Sequence, residues 1–292
     1  VLTQALFRGV IAPGFFASSS VRLALAAGSA VALVSAVVGV FTVIRGQAFA
    51  GEALSDVGAA GGSGAFLAGV SPLWGFVAVA LAGSGAMELI GVGRARGRDL
   101  ATGVVLGAGF GLSALFLYLT TTQTGTTGAT ITVLFGSLLE LGSGELPAIL
   151  ALSAGVLLVL AASFRPLLLA SASQELAAAQ RIPVRLCGAI HLVAVAITVA
   201  LAARTVGAVL ATALLIGPAA AALRISRSPA HAMLGAAGIG VTVVWLGVLL
   251  AYDSYSWPPI HHGWPVSFFI VALALLAYGL ASWFGAHGRR AR

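Results

Sequence analysis

The sequence predicts an all-α polytopic membrane bundle of eight to nine transmembrane helices, and three observations carry that prediction. Of 292 residues, 60% are hydrophobic and only 8% are charged, against about a quarter charged in a soluble domain. Mean hydropathy is +1.07. The apolar residues gather in runs of about 20, the length that crosses a hydrocarbon core with every backbone polar group paired inside the helix. Together these values exclude a soluble enzyme, a disordered chain and a nucleic-acid-binding domain. The net charge of +7 comes from arginines scattered between the runs, not from one basic surface. Cys187 is the single cysteine and cannot close an internal disulfide, two methionines are too few for a soft-metal pathway, and there is no lysine.

In chain order, residues 1–21 read as an N-terminal interfacial segment, 22–288 as the transmembrane domain and 289–292 as a basic tail. Nine windows have spanning length: 22–44, 50–69, 72–92, 100–120, 146–164, 186–203, 205–223, 230–252 and 266–286. The 131–140 stretch is too short to span. The two windows flanking Arg204 lie so close together that a broken or re-entrant element is an alternative, hence eight to nine. Glycine, at 38 residues, and many alanines fall inside the windows, as expected where helices approach closely without a hydrophobic drive between them. Gly217-Pro218, Pro258, Pro259 and Pro265 mark breaks or bends. No cleavable signal peptide is expected, since the first long apolar run exceeds an h-region.

Arginine placement tests this division, because short cytoplasmic loops retain positive charge. With 165–185 inside, Arg45, Arg94, Arg96, Arg98, Arg165, Arg181, Arg185, Arg224, Arg227, Arg289, Arg290 and Arg292 share that side, and Arg8, Arg22 and Arg204 face the other. Two stretches do not read as spans. Residues 165–184 (RPLLLASASQELAAAQRIPV) open on Arg165-Pro166 and close at Pro183, with Gln174, Glu175, Gln180 and Arg181 between. The stretch is either a cytoplasmic helix that receives force from a separate motor or an ordinary interfacial helix. Residues 118–130 are threonine-rich and uncharged, suited to an extracytoplasmic gate loop or a plain polar turn.

The most pointed feature is Glu52 and Asp56, whose i,i+4 spacing puts both carboxylates on one helix face near the start of the second span. Carboxylates in a membrane need a partner, water or a cation, and oxygen ligands suit hard or borderline divalent metals. The pair therefore reads as a point on a cation path, or as one interfacial and one packing residue. His261 and His262, beside Asp253, are a weaker metal candidate in the last external loop. His191 reads as a structural hydrogen-bonding group, and Glu88, Glu140 and Glu145 as solvated ends of spans. No GxxxxGK[ST] motif or catalytic triad is present, so the chain reads as non-enzymatic and any ATP must be hydrolysed by another polypeptide.

Three strings in fixed order make the chain similar to the ABC-3 permeases of zinc, manganese and iron importers. They are GEALSDVGAAG at 51–61, where the family has GDALSHAVLPG; FGSLL at 135–139; and VGAVLATALLIGPAAAA at 206–222. The resemblance extends over about 22–284. It implies an ABC-3/vitamin B12-importer-like permease fold in a bacterial plasma (inner) membrane. It also implies a permease homodimer, two cytoplasmic ABC ATPase subunits carrying the ATP, and an extracytoplasmic metal-binding protein. No tightly bound cofactor is expected, only transported Zn2+ or Mn2+, zinc first and manganese second. The resemblance maps the family's aspartate and histidine onto Glu52 and Asp56, so a nitrogen ligand is replaced by oxygen, and it makes 165–184 the ATPase-coupling segment. Two rival readings stay open: a proton- or sodium-coupled secondary transporter using the same carboxylates, and a structural membrane partner with no flux.

Overall fold

A computed structural model of the protein describes residues 15–91, 95–124, 128–136, 138–256 and 263–290. Every regular element among them is a helix: α1 (Ser19–Ile44), α2 (Ala48–Leu67), α3 (Pro72–Gly91), α4 (Ala95–Thr124), α5 (Gly128–Phe135), α6 (Leu146–Ala162), α7 (Phe164–Ala172), α8 (Gln174–Ala179), α9 (Val184–Thr205), α10 (Ala211–Ile225), α11 (Pro229–Asp253) and α12 (Val266–Arg290). Short 3-10 turns join several of them. Among the described residues seven helices are long and apolar enough to cross a membrane: α1, α3, α4, α9, α10 with the turn before it, α11 and α12. Helices α6 and α7, bent by 69° at their junction, bring the number to eight.

The remaining expected window, 50–69, forms α2, but its Gly-, Ala- and Ser-rich sequence and two carboxylates keep it out of that apolar set. Instead α2 lies inside the bundle, packed most extensively against α4 and α3 and then against α9. Helices α1, α10, α11 and α12 form a second group, and α1 and α9 join the two groups. Proximity between α2 and α3 comes from glycine: a Cβ on Gly75 would lie 2.6 Å from the Ala65 Cβ and nearer still to the Gly61 carbonyl.

The windows flanking Arg204 resolve into two separate helices. Between α9 and α10 the chain reverses at Gly207, whose φ of 107° is open to glycine and strained for other residues. Pro218 sits inside α10 without ending it. The 165–184 stretch forms two short helices: Ser173 breaks the path and accepts a hydrogen bond from the Leu176 N–H at 3.2 Å, capping α8. Leu167, Ala170 and Ala177 anchor the pair in the core.

Candidate functional site

Three distant strings of the sequence meet around the first half of α2. Ser55 donates a hydrogen bond of 2.7 Å to the Ala208 carbonyl, tying 51–61 to 206–222. A Cβ on Gly136 would fall 2.5 Å from the Val206 carbonyl carbon, so the FGSLL string can close on the same turn only with glycine there. On the far side of α2, Ser113 of α4 donates to the Asp56 carbonyl at 3.0 Å. A Cβ on Gly109 would lie 2.6 Å from the Val57 nitrogen. The backbone carrying the two carboxylates is thus held from both sides.

The carboxylates themselves stand in different surroundings. Glu52 is half-buried, and Thr212 of α10 donates its hydroxyl hydrogen to Glu52 Oε2 in a short hydrogen bond. Asp56 is 5% exposed, and its Oδ2 has no hydrogen-bond partner among the described residues. A buried carboxylate oxygen without a donor is costly, and a cation or a proton relieves that cost. The three side chains offer oxygen alone, a set matched to a hard divalent ion. Among the described residues no group of three or more His, Cys, Asp or Glu side chains could hold a metal; Glu52 and Asp56 are two carboxylates, with the Thr212 hydroxyl beside one of them.

Of the weaker candidates, Asp253 ends α11 half-buried, while His261 and His262 lie outside the described residues. His191 is fully buried, with Nε2 3.5 Å from the Thr42 hydroxyl and Nδ1 unpartnered among the described residues. Glu145, expected to be a solvated span end, is instead ion-paired with Arg204 at 2.9 Å and accepts a hydrogen bond from Ser71 at 3.0 Å. The correction has a simple cause: Arg204 is 8% exposed and α9 delivers it beside the start of α6, where an unpaired guanidinium would be expensive. Near that end a cavity of about 1020 Å3 is lined by Ile131, Phe135, Glu140, Tyr252 and Trp264 among others, away from the two carboxylates.

In the 165–184 stretch, Arg165, Glu175, Gln180 and Arg181 are exposed, Pro166 is half-buried and Gln174 opens α8. Arg181 takes a positive φ of 58° just beyond α8. Sequence reasoning missed Thr212 and Arg45. Thr212 is one hydroxyl in an apolar run, and Arg45 reads as one more basic flank. Only the fold shows what either touches.

Residues 18–282 match the family model described as the ABC 3 transport family. The chain is 31% identical over 241 residues to the manganese transport system membrane protein MntC of Halalkalibacterium halodurans, covering 82% of this chain and 81% of that one. It is 27% identical over 230 residues to the manganese import system permease protein ScaB of Streptococcus parasanguinis, covering 79% and 81%. Among solved structures, PsaBC from Streptococcus pneumoniae in complex with Fab is similar with a TM-score of 0.78 at 22% identity, over 96% of this chain and 95% of that one.

Proposed function

The chain belongs to the ABC 3 transport family, and from that premise we propose that it is the membrane permease of an ATP-driven importer of a divalent transition metal, manganese before zinc. One observation carries the reading: a buried aspartate with an unpartnered carboxylate oxygen, one helical turn from a glutamate held by a threonine, on the helix at the centre of the bundle. The relatives named for manganese support the order of metals. So does the donor set, because oxygen ligands favour manganese more than they favour zinc, which takes nitrogen and sulfur readily. This reverses the order expected from sequence.

In this mechanism the ion exchanges part of its hydration shell for Glu52 and Asp56, whose two negative charges offset its two positive ones. The site stays weak because, among the described residues, it lacks the further ligands of a closed cage, which is what passage requires. Thr212 holds Glu52 when no ion is present and gives it up when one arrives. An extracytoplasmic metal-binding protein delivers the ion, and a homodimer of the chain lines the route. Two ATPase subunits on the cytoplasmic side of the bacterial plasma membrane supply the work through 165–184. The described residues are all-helical and carry no nucleotide-binding fold, in keeping with hydrolysis on a separate subunit.

The test is uptake of manganese and of zinc into proteoliposomes holding the chain with its ATPase and binding protein. The wild type should take up manganese only with ATP and all partners, and Glu52→Ala/Asp56→Ala should lose at least about tenfold in rate, the equivalent of roughly 1.4 kcal/mol in the barrier, while eluting as a folded complex. Full uptake by a correctly assembled double variant would sink the role of the carboxylates. Uptake driven by a proton or sodium gradient without ATPase would sink the importer reading.

A further inference from the structure

The Arg45 side chain sits where four helices meet. It closes α1 and opens the turn to α2, with Gly46 at a φ of 64° and Gln47 as the residue before the helix. Its Nε donates to the Gln47 side-chain oxygen at 3.3 Å and its Nη1 to the Ser171 hydroxyl of α7 at 3.1 Å. Ser171 commits its own hydrogen to the Leu167 carbonyl at 2.6 Å, so its oxygen is left to accept from Arg45. Across the junction α9 presents Gly188, where a Cβ would stand 3.8 Å from Arg45 Nη2. One turn back along α1, Phe41 meets Phe164 of α7 edge-on at 6.0 Å and His191 of α9 at 6.4 Å.

From this junction we infer that Arg45 is a positioning residue of the transport cycle: it carries movement of α7 to the α1–α2 turn, and so to Glu52 one and a half helical turns further on. The inference rests on the reading of 165–184 as the segment that meets the ATPase. Two features make the guanidinium suited to the task. It bonds both to α7 and to the amide that starts α2, so a displacement of one is imposed on the other through a single planar group. The two contacts that link α7 to the α1–α2 turn are made to a hydroxyl and an amide, which exchange with water at modest cost, so each can be remade in every cycle. A lysine has the charge but not the fork, and would hold one partner at a time.

The experiment compares metal taken up per ATP hydrolysed in proteoliposomes holding the full complex, for wild type, Arg45→Ala, Arg45→Lys, Ser171→Ala and Arg45→Ala/Ser171→Ala. Arg45→Ala should lower that ratio at least tenfold and Ser171→Ala several-fold, with Arg45→Lys between them. The double variant should be no worse than Arg45→Ala alone, because both changes cut one link. A defect that only weakened the fold would lower uptake and hydrolysis together and leave the ratio in place. If Arg45→Ala does not assemble, Ser171→Ala carries the test, since it keeps the arginine and removes one acceptor. A ratio within twofold of wild type in either assembled variant overturns the inference. An additive double variant also overturns it, because the two residues would then act separately. Wild-type complex that hydrolyses ATP without driving uptake overturns the importer reading itself, a result that no Arg45 variant is needed to see.

Discussion

Helices α2 and α12, of 20 and 25 residues, are built on opposite plans. Helix α2 has 20 residues, 13 of them buried, and it is dominated by glycine, alanine and serine with two carboxylates. The apolar part of α12, Val266–Phe284, is only 28% buried and turns Phe268, Leu275, Leu276, Leu280 and Trp283 outward. In a soluble protein the more apolar helix would be the one inside. Here the solvent is itself apolar, so large aliphatic and aromatic side chains gain nothing by being interior. Along α2 the interior goes to small residues that let backbones touch, and polar side chains such as Ser55 and Glu52 survive there because neighbouring helices answer them. Between α2 and α12 high hydropathy therefore goes with the outer face and its shortage with the interior, whereas α1 and α9, each 67% buried, carry apolar residues into the core as well.

The largest effect should come from violating the rule on α12. Leu275→Arg puts a charge near the middle of the exposed face, at a cost of about 2.5–3.5 kcal/mol at a helix centre. A membrane-insertion assay should show a clear loss of the spanning form, whereas Leu275→Ala should insert like wild type. Normal insertion of the arginine variant would mean that this face does not meet hydrocarbon. The next effect is steric and belongs to α2. Gly109→Val drives a branched side chain into the α2 backbone at Val57 and should cost in the upper part of the roughly 1–3 kcal/mol range of overpacking, seen as a lower unfolding midpoint in detergent. On the same helix, Cβ atoms at Gly107 and Gly111 would meet nothing within 4 Å. Valine at either should stay within about 0.5 kcal/mol of wild type, and equal damage at all three positions would refute the claim that α4 packs on α2 through Gly109.

The same contrast explains what could be read before the fold was known. Long apolar runs are direct records of helices of spanning length, so α1, α3, α4, α9, α11 and α12 were legible from window length alone. Helix α2, which falls outside the helices apolar enough to span, was legible as a helix from the 50–69 window and because Glu52 and Asp56 stand four apart. Its interior position was not, since periodicity says nothing of which neighbours surround a helix. Arg204 showed as an arginine against the topological trend, but the pairing with Glu145 spans 59 positions and depends on where α9 ends relative to α6. Thr212 was the least legible, because a threonine in an apolar run is unremarkable until α10 brings its hydroxyl to Glu52. Sequence order did supply the three strings that converge, and their common cause, the closure of the 206–222 turn on α2, is a property of the packed state.

The smallest effect worth measuring separates the two kinds of serine on α2. Ser55 donates across helices to the Ala208 carbonyl at 2.7 Å, while Ser63 donates to the Ala59 carbonyl of its own helix, also at 2.7 Å. Both are fully buried. Ser63→Ala removes a bond that the helix backbone does not need and substitutes the best helix former, so it should be neutral or slightly stabilising. Ser55→Ala leaves the Ala208 carbonyl without that donor. Cross-helix hydrogen bonds in membrane proteins average about 0.6 kcal/mol, and part of that is returned by the gain in helix propensity. A net loss of a few tenths of a kcal/mol is expected, resolvable only by reversible unfolding of the two variants side by side. If Ser55→Ala is as harmless as Ser63→Ala, the turn at Gly207 is held in place by its backbone packing against Leu134, Phe135 and Gly136 at the end of α5, and the hydroxyl merely fills a space that packing has already made.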